Sequence, residues 1–264
     1  MSDSAPDVGK LFQDAHDDGE LSAGALGALT LHADIGAQIQ AGLGVAPDDV
    51  PSSEVVLVTM MPDDSGSIRF SGNAELVRQG HNLVIDSLRK SAQADEVLAH
   101  TRYLNGCVLY PYQPLDQTVE MNSQNYDPNL GTPLFDQTVV LLGTVLAKAR
   151  EFEDNGVPVR TVTLLISDGG DTSSVNQRPK SVRAIVEDML RKENHIVAAL
   201  GIDDGTTDFR AVFQSMGIED RWILTTANTD SEIRKAFELF SQSALRASQS
   251  AAAFSSTAVG GFAG

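Results

Sequence analysis

The sequence predicts an α/β fold: a doubly wound, mostly parallel central sheet with helices on both faces and one antiparallel edge strand. Short apolar runs alternate with longer amphipathic segments, which is the pattern of a parallel sheet. Asn105-Gly106 lies between two β-type runs and is a strong hairpin signal, so one pair of strands is expected to be antiparallel. A chain of 264 residues can bury one sizeable core.

Residues 1–53 are acidic and rich in Ala and Gly, and we expect an N-terminal helical extension with two or so short helices. Within it, the spacing of Asp14, His16 and Asp18 resembles a calcium loop. The closing position is Ala25 instead of a bidentate Glu, which favours a solvated acidic helix and loop over a calcium site.

The stretch 54–70 joins an apolar, β-branched run to a cluster of small oxygen-bearing side chains. Pro62 lacks an N–H and is expected to end the strand. Asp63, Ser65 and Ser67 alternate along the next loop, so their oxygens could converge on a small hard cation, with Mg²⁺ as the first candidate. The alternative is a solvated turn, because Asp, Ser and Gly are ordinary turn residues.

The following elements continue the alternation of helices and strands. We expect a helix over 72–90, two strands over 97–104 and 107–112, and a long polar loop over 113–131. Thr132 is expected to cap the next helix, which Pro133 opens. Strands are expected over 160–167, 195–202 and 221–225, separated by helical segments from 179 and over 209–216. A capping box at Thr229 and Glu232 opens the last helix, and residues 248–264 are expected to form a flexible Ala/Ser/Gly tail.

Polar residues fall where several predicted strands end. In an open parallel sheet, ligands bind beyond the carboxyl ends of the strands. Asp63, Ser65 and Ser67 follow the first strand, Asp168 ends a central strand, and Thr132 lies in a loop entering a helix. We therefore expect one shared metal site at this edge of the sheet.

Composition limits the classes of partner. Thirty-six acidic against 19 basic residues give a formal charge of −17, which disfavours nucleic acid and anionic membranes. Cys107 is the single cysteine, so neither an internal disulfide nor a thiol-ligated zinc site is expected. Residues 1–13 are polar and no apolar run is long enough to cross a bilayer, so we expect a cytoplasmic protein.

Residues 54–247 resemble a von Willebrand factor A (vWA) domain, a Rossmann-like fold. The family's metal-ion-dependent adhesion site (MIDAS) is an Asp-x-Ser-x-Ser motif, a Thr two loops later and an Asp after the fourth strand. This sequence has Asp63-Asp64-Ser65-Gly66-Ser67, Thr132 in Gly-Thr-Pro-Leu, and Asp168 in Ile-Ser-Asp-Gly-Gly. The one departure is Thr59-Met60-Met61-Pro62 before the first Asp, where the family usually runs the strand straight into it.

The resemblance implies that the hydroxyls of Ser65, Ser67 and Thr132 bind Mg²⁺ (or Mn²⁺ or Ca²⁺), with Asp63 and Asp168 bound directly or through water. It also implies a non-catalytic adaptor or scaffold that binds an Asp or Glu of a partner protein through the ion. Similar bacterial-type proteins belong to tellurium-resistance and stress, phage-conflict or MoxR-type AAA+ ATPase systems. The alternatives are a metal-dependent phosphoryl-transfer or hydrolytic enzyme, and a purely structural assembly subunit.

Other polar residues receive weaker predictions. Asp64 is expected to point outward, and Asp171 either to support the metal ligands or to cap a turn. The histidines at 81, 100 and 195 share no ligand spacing and are expected to be ordinary core or surface residues. Asn122, Tyr126 and Asp127 are expected to be solvated loop residues that could shape the choice of partner.

Overall fold

A six-stranded sheet forms the centre of the molecule, in the order β3-β2-β1-β4-β5-β6. The computed structural model describes residues 7–263, apart from the side chains of Ala33 and Ala263. All neighbouring strands are parallel except β2 and β3, which are antiparallel, so the predicted fold class and antiparallel edge strand are confirmed. The strands are β1 Val55–Met61, β2 Val97–Arg102, β3 Val108–Pro114, β4 Val159–Ser167, β5 His195–Ile202 and β6 Ile223–Thr226.

The central strands β1 and β4 are buried along their whole length, which explains their continuous apolar sequences. They pair in parallel, with Val58 opposite Val162 and Met61 opposite Leu165. Their carboxyl ends therefore lie side by side. The segments that follow them, beginning at Pro62 and at Asp168, leave the sheet next to each other.

Helices cover both faces of the sheet. One face carries α5 and α9, with α10 packed on α9, and the other carries α6, α7 and the N-terminal helices. The helices are α1 Val8–Asp17, α2 Ala23–Leu29, α3 Ala33–Leu43, α4 Gly66–Phe70, α5 Ala74–Arg89, α6 Leu134–Asp154, α7 Pro179–Arg191, α8 Phe209–Ser215, α9 Asp230–Gln249 and α10 Ala251–Gly260.

The N-terminal segment contains three helices where two or so were expected. Phe12, Leu29 and Ile39 are buried and belong to the main hydrophobic core. The backbone N–H of Ser22 donates to buried Asp188 at 2.6 Å, which ties the start of α2 to α7. The extension is therefore packed against the core, and Asp14 and Asp18 form ion pairs with Lys10 and Arg150.

The C-terminal segment differs from the predicted flexible tail. α9 continues to Gln249, α10 follows directly, and Phe254 and Phe262 are buried. Phe262 packs edge-on against Trp222, with ring centroids 4.9 Å apart. An Ala-rich composition is compatible with a helix as well as with disorder. The buried side chains of Phe254 and Phe262 attach this segment to the core.

The hairpin between β2 and β3 turns at the predicted dipeptide. Gly106 has φ 92°, a conformation that favours glycine, and its N–H donates to the carbonyl of Tyr103 at 2.8 Å. Buried Arg102 donates to the Gly106 carbonyl at 3.3 Å and to Thr144 at 3.5 Å, which fastens the turn to α6. Among the residues the structure describes, no helix is long and apolar enough to cross a membrane.

Candidate metal centre

Asp63 lies at the base of the site, directly beyond β1. Its side chain is fully buried, with Oδ1 accepting from the Ser65 N–H at 2.8 Å and Oδ2 accepting from the Ser167 hydroxyl at 2.6 Å. The buried Tyr126 hydroxyl donates to the Asp63 carbonyl oxygen. These bonds fix the orientation of the carboxylate.

Ser65, Ser67 and Asp168 form a continuous chain of hydrogen bonds. The Oγ atoms of the two serines are 2.8 Å apart, and Ser67 Oγ donates to Asp168 Oδ1 at 2.6 Å. Ser71 donates to the other oxygen, Asp168 Oδ2, at 3.3 Å. Residues after β1 and after β4 thus share one cluster of oxygens, as the sequence predicts.

Thr132 lies near the same cluster, in the loop before α6. A side chain at Gly169 would begin 3.6 Å from Ser67 Oγ and 3.9 Å from Thr132 Oγ1, so both hydroxyls face this glycine. The Thr132 carbonyl accepts from the N–H groups of Thr172 and Ser173 at 3.0 and 3.3 Å. These contacts hold the Thr132 loop against the segment that follows β4.

The predicted helix-capping role of Thr132 is wrong. α6 begins at Leu134, and its N-cap residue is Pro133, which has φ −81° and ψ 58°. The N–H groups at the start of α6 are capped instead by Ser174 and Asp171, which accept from Phe135 at 3.0 and 3.4 Å. Asp171 therefore has the capping role that was one of its two predicted roles. The Thr132 hydroxyl makes no hydrogen bond within residues 7–263 and is not among the fully buried polar atoms, so it can bind a ligand from the solvent side although the residue is only 5% exposed.

Asp64 points inward, which contradicts the prediction that it faces solvent. It is 5% exposed, and its Oδ1 accepts from the backbone N–H and the side-chain amide of Asn105 at 2.9 and 2.8 Å. The Asn105 amide also donates to the Gly131 carbonyl at 2.7 Å. The hairpin turn therefore links the loop after β1 to the loop that carries Thr132.

The loop 113–131 is held by its own side chains. Asn122 Oδ1 accepts from the N–H groups of Gln124 and Asn125, and Asp127 forms an ion pair with Arg69. Tyr126 is buried instead of solvated, and its ring lies against Tyr103. Asn122 and Asp127 are exposed, as expected.

The three buried histidines lie in the core and take no part in the site. His81 bonds Thr101 and Tyr110, His100 bonds the Tyr110 carbonyl, and His195 bonds Thr161. Burial lowers the pKa of His81 to about 4 and that of His100 and His195 to about 3, so all three are neutral near pH 7.

Burial also raises the pKa values of the acidic residues of the site. It raises the pKa of Asp63 and of Asp64, against the hydrogen bonds that they accept. For Asp168, burial raises the pKa to about 6; bonds from Ser67 and Ser71 act in the opposite direction, and the charges of Asp63 and Asp204 add to the increase. No Lys or Arg of the described chain bonds to these three carboxylates. The negative charge is thus concentrated without a protein cation to balance it.

The donor set fits a hard divalent cation. No group of three or more His, Cys, Asp or Glu side chains within residues 7–263 is placed to hold a metal. The five predicted ligands instead combine two carboxylates with three neutral hydroxyls, which are hard oxygen donors suited to Mg²⁺, Mn²⁺ or Ca²⁺. The unpartnered Thr132 hydroxyl and the unbalanced carboxylates are what such an ion would satisfy.

Sequence reasoning did not identify three residues that support the site. Ser167 and Ser71 donate to Asp63 and Asp168, and Tyr126 holds the backbone at Asp63. Ser167 stands directly before Asp168, so its position offered a local signal. Tyr126 is 63 residues from Asp63 in the sequence, and no local pattern indicates their contact.

Comparison with known proteins finds similarity in structure only. No protein-family model and no curated protein sequence matches the chain. The pilus adhesin SpaC from Lactobacillus rhamnosus GG in its open conformation matches 74% of this chain and 30% of its own, at TM-score 0.52 and 13% identity.

Two other solved structures match with lower TM-scores. Proximal thread matrix protein 1 (PTMP1) from the mussel byssus, with a zinc-occupied MIDAS motif, has TM-score 0.49 and 16% identity, covering 73% of this chain and 46% of that one. The SpRpn10 VWA domain has TM-score 0.46 and 6% identity, covering 70% and 94%. The chain spans less than half the length of the adhesin and of the mussel protein. At these identities the similarity extends to the α/β fold alone.

Proposed function

We propose that residues 54–247 form a vWA-type domain that binds a protein partner through a divalent cation held by a complete MIDAS. The observation that carries the proposal is the shared oxygen cluster of three separate segments. Ser65 and Ser67 come from the segment after β1, Thr132 from the loop before α6, and Asp168 from the segment after β4. Solvated turns would not be expected to bring four oxygen donors from three separate segments together.

The hydroxyl and carboxylate groups of the site would bind the ion in different ways. The hydroxyls of Ser65, Ser67 and Thr132 would bind it directly without neutralising its charge, while Asp63 and Asp168 would bind directly or through water. When bound, the ion supplies a positive charge that can accept a carboxylate from a partner. Ser67 is exposed while Asp63 is fully buried, so the open side of the site is the one next to Ser67. We take Mg²⁺ as the first candidate, with Mn²⁺ and Ca²⁺ as alternatives.

The surroundings of the site favour binding over catalysis. Phosphoryl transfer needs cationic groups that neutralise the transferring phosphate and a base that activates the nucleophile. Arg69, on the α4 segment, is paired with Asp127, and the three histidines described above lie in the core. We therefore propose a non-catalytic interaction domain over a phosphoryl-transfer or hydrolytic enzyme and over a purely structural subunit.

The cellular setting remains a proposal from the sequence resemblance. We propose a cytoplasmic adaptor or scaffold of the kind that accompanies tellurium-resistance and stress, phage-conflict or MoxR-type AAA+ ATPase systems. The acidic charge of −17 supports a protein partner over a nucleic acid or an anionic membrane.

The test is capture of partners from native lysate by wild-type protein, Ser67→Ala and the exposed control Ser123→Ala, each in Mg²⁺ and in EDTA. We expect a partner that is retained by wild type and Ser123→Ala in Mg²⁺, and lost with EDTA or Ser67→Ala. Partner retention that is unaffected by EDTA and by Ser67→Ala would contradict binding through a metal ion and favour a structural subunit. Turnover of phosphate esters that is abolished in Asp63→Ala would favour the enzyme.

A further inference from the structure

Large apolar side chains are exposed on the same segments that carry the metal ligands. Phe70 is 90% exposed at the end of α4, Leu130 is 54% exposed just before Thr132, and Val175 is 75% exposed in the loop after β4. Isolated exposed apolar residues are ordinary on protein surfaces, but a group placed around a binding site marks a surface for interaction.

Phe70 and Leu130 are adjacent to each other and to the ligands. Ser65 and Leu130 form a parallel β-bridge, and the Leu130 carbonyl accepts from the Gly66 N–H at 2.9 Å. A side chain at Gly66 would begin 3.5 Å from the Phe70 ring and 3.9 Å from the Leu130 carbonyl oxygen. The Phe70 ring therefore lies over the backbone between Ser65 and Ser67, beside the open side of the site.

The opposite side of the site is acidic. The loop between β5 and α8 carries three exposed carboxylates, those of Asp203, Asp204 and Asp208. A side chain at Gly170 would begin 3.7 Å from Thr207 Oγ1, so this loop borders the segment that follows Asp168. The carboxylate of Asp204 accepts from the N–H groups of Thr206 and Thr207 at 2.8 and 2.6 Å, which fixes the loop conformation.

We propose that the partner presents an Asp or Glu with a large apolar residue on one side and a Lys or Arg on the other. The apolar residue packs on Phe70 and Leu130, and the basic residue faces Asp203, Asp204 and Asp208. This inference rests on the proposed function, because the carboxylate is the group that binds the ion. The two flanks differ in chemistry, so they also fix the direction in which the partner segment crosses the site.

Phe70 and Leu130 are expected to contribute affinity for the partner. The carboxylates of Asp203, Asp204 and Asp208 are expected to contribute selectivity between partners. Burying one large apolar side chain on Phe70 corresponds to about tenfold in the dissociation constant. Exposed ion pairs contribute less, are screened by salt, and mainly reject segments with a second acidic residue on that side.

The experiment uses an immobilised library of short peptides, each with a central Glu and randomised flanks, probed with the full chain in Mg²⁺ and in EDTA. We expect Mg²⁺-dependent retention of peptides with a large apolar residue on one flank and Lys or Arg on the other. Phe70→Ser should lose the apolar preference by about tenfold, and Asp203→Asn with Asp204→Asn should lose the basic preference at low salt. Val259→Ser serves as the control, because Val259 is 73% exposed on α10.

Direct titration of each protein with Mg²⁺ separates the two levels of the proposal. If wild type and Phe70→Ser bind Mg²⁺ but show the same peptide preference, or if no flanking preference is found, the inference about the partner is wrong and the metal site stands. If wild type binds no Mg²⁺, the proposed function itself fails. Loss of the apolar preference in Val259→Ser would also overturn the assignment to Phe70.

Discussion

Asp64 Oδ1 accepts two hydrogen bonds from one residue, Asn105, through its backbone N–H at 2.9 Å and its side-chain amide at 2.8 Å. Asn105 occupies the hairpin turn and Asp64 lies in the loop that follows β1, 41 residues away. Because the same amide donates to the Gly131 carbonyl, it joins the two loops that carry Ser65 and Thr132. The hairpin is therefore part of the support of the site.

Asn105→Ala is expected to weaken both stability and metal binding. The substitution removes the side-chain bond to the buried Asp64 carboxylate, which keeps only the backbone N–H of residue 105, and we expect a loss of about 1–3 kcal/mol of unfolding free energy. Urea unfolding measures the stability, and calorimetric titration with Mg²⁺ should show a several-fold weaker affinity. Asn129→Ala is the control, because Asn129 is exposed on the neighbouring loop. Equal effects of the two substitutions would show that the Asn105 contacts do not support the site.

Metal affinity is expected to fall as the pH is lowered through about 6. Burial raises the pKa of Asp168 to about 6, so its carboxyl is protonated below this pH and competes with the cation. Mg²⁺ titrations between about pH 7.5 and pH 5 should show a loss of up to about tenfold per pH unit below 6 for this one proton. A constant affinity across this range would mean that Asp168 does not bind the ion in its charged form.

His195 is expected to contribute to the loss of stability in acid. Its pKa is lowered from 6.5 to about 3, by burial and then by the charge of Lys192, so the unfolded chain binds a proton that the folded chain excludes. The contribution is fully present above 6.5 and is lost as the pH falls toward 3. In His195→Gln, the slope of unfolding free energy between about pH 4 and pH 6 should decrease by about 1.4 kcal/mol per pH unit. His32→Gln is the control, because His32 is exposed. An unchanged slope in His195→Gln would contradict the contribution of His195 to the loss of stability in acid.

Phe262→Ala is expected to expose Trp222, the only tryptophan of the chain. The two rings meet edge-on, and Trp222 is 2% exposed. Removing the Phe262 ring should shift tryptophan emission to longer wavelength and lower the unfolding free energy by about 3 kcal/mol. Val259→Ala, on an exposed face of α10, should change neither quantity. Unchanged emission in Phe262→Ala would mean that the C-terminal segment does not pack on Trp222.

The fold and the meeting of the candidate ligands at one edge of the sheet could be predicted because their signals are local. Continuous apolar runs show which strands are buried, and the residues that end β1 and β4 must meet at one edge of a parallel sheet. The proximity of Asp63, Ser65 and Ser67 to the segment that begins at Asp168 follows from these facts.

The errors arise where distant contacts decide the structure. Asp63 and Asp64 are chemically identical neighbours, and only the distant Asn105 explains why Asp64 also points inward. The start of α6 moves to Leu134 because Asp171 and Ser174 cap it from another loop. The C-terminal helix depends on Phe262 meeting Trp222, which composition alone cannot indicate.

The most direct test of the central claim is calorimetric titration of Mg²⁺ into wild type, Ser67→Ala and Asp168→Asn, with Asp116→Asn as a control that removes an equal charge from an exposed position after β3. We predict one Mg²⁺ per chain for wild type and Asp116→Asn, and at least tenfold weaker binding for Ser67→Ala and Asp168→Asn, as expected when a direct ligand is lost. Equal Mg²⁺ binding by all four proteins, or none by wild type, would contradict the assignment of this cluster as a metal centre.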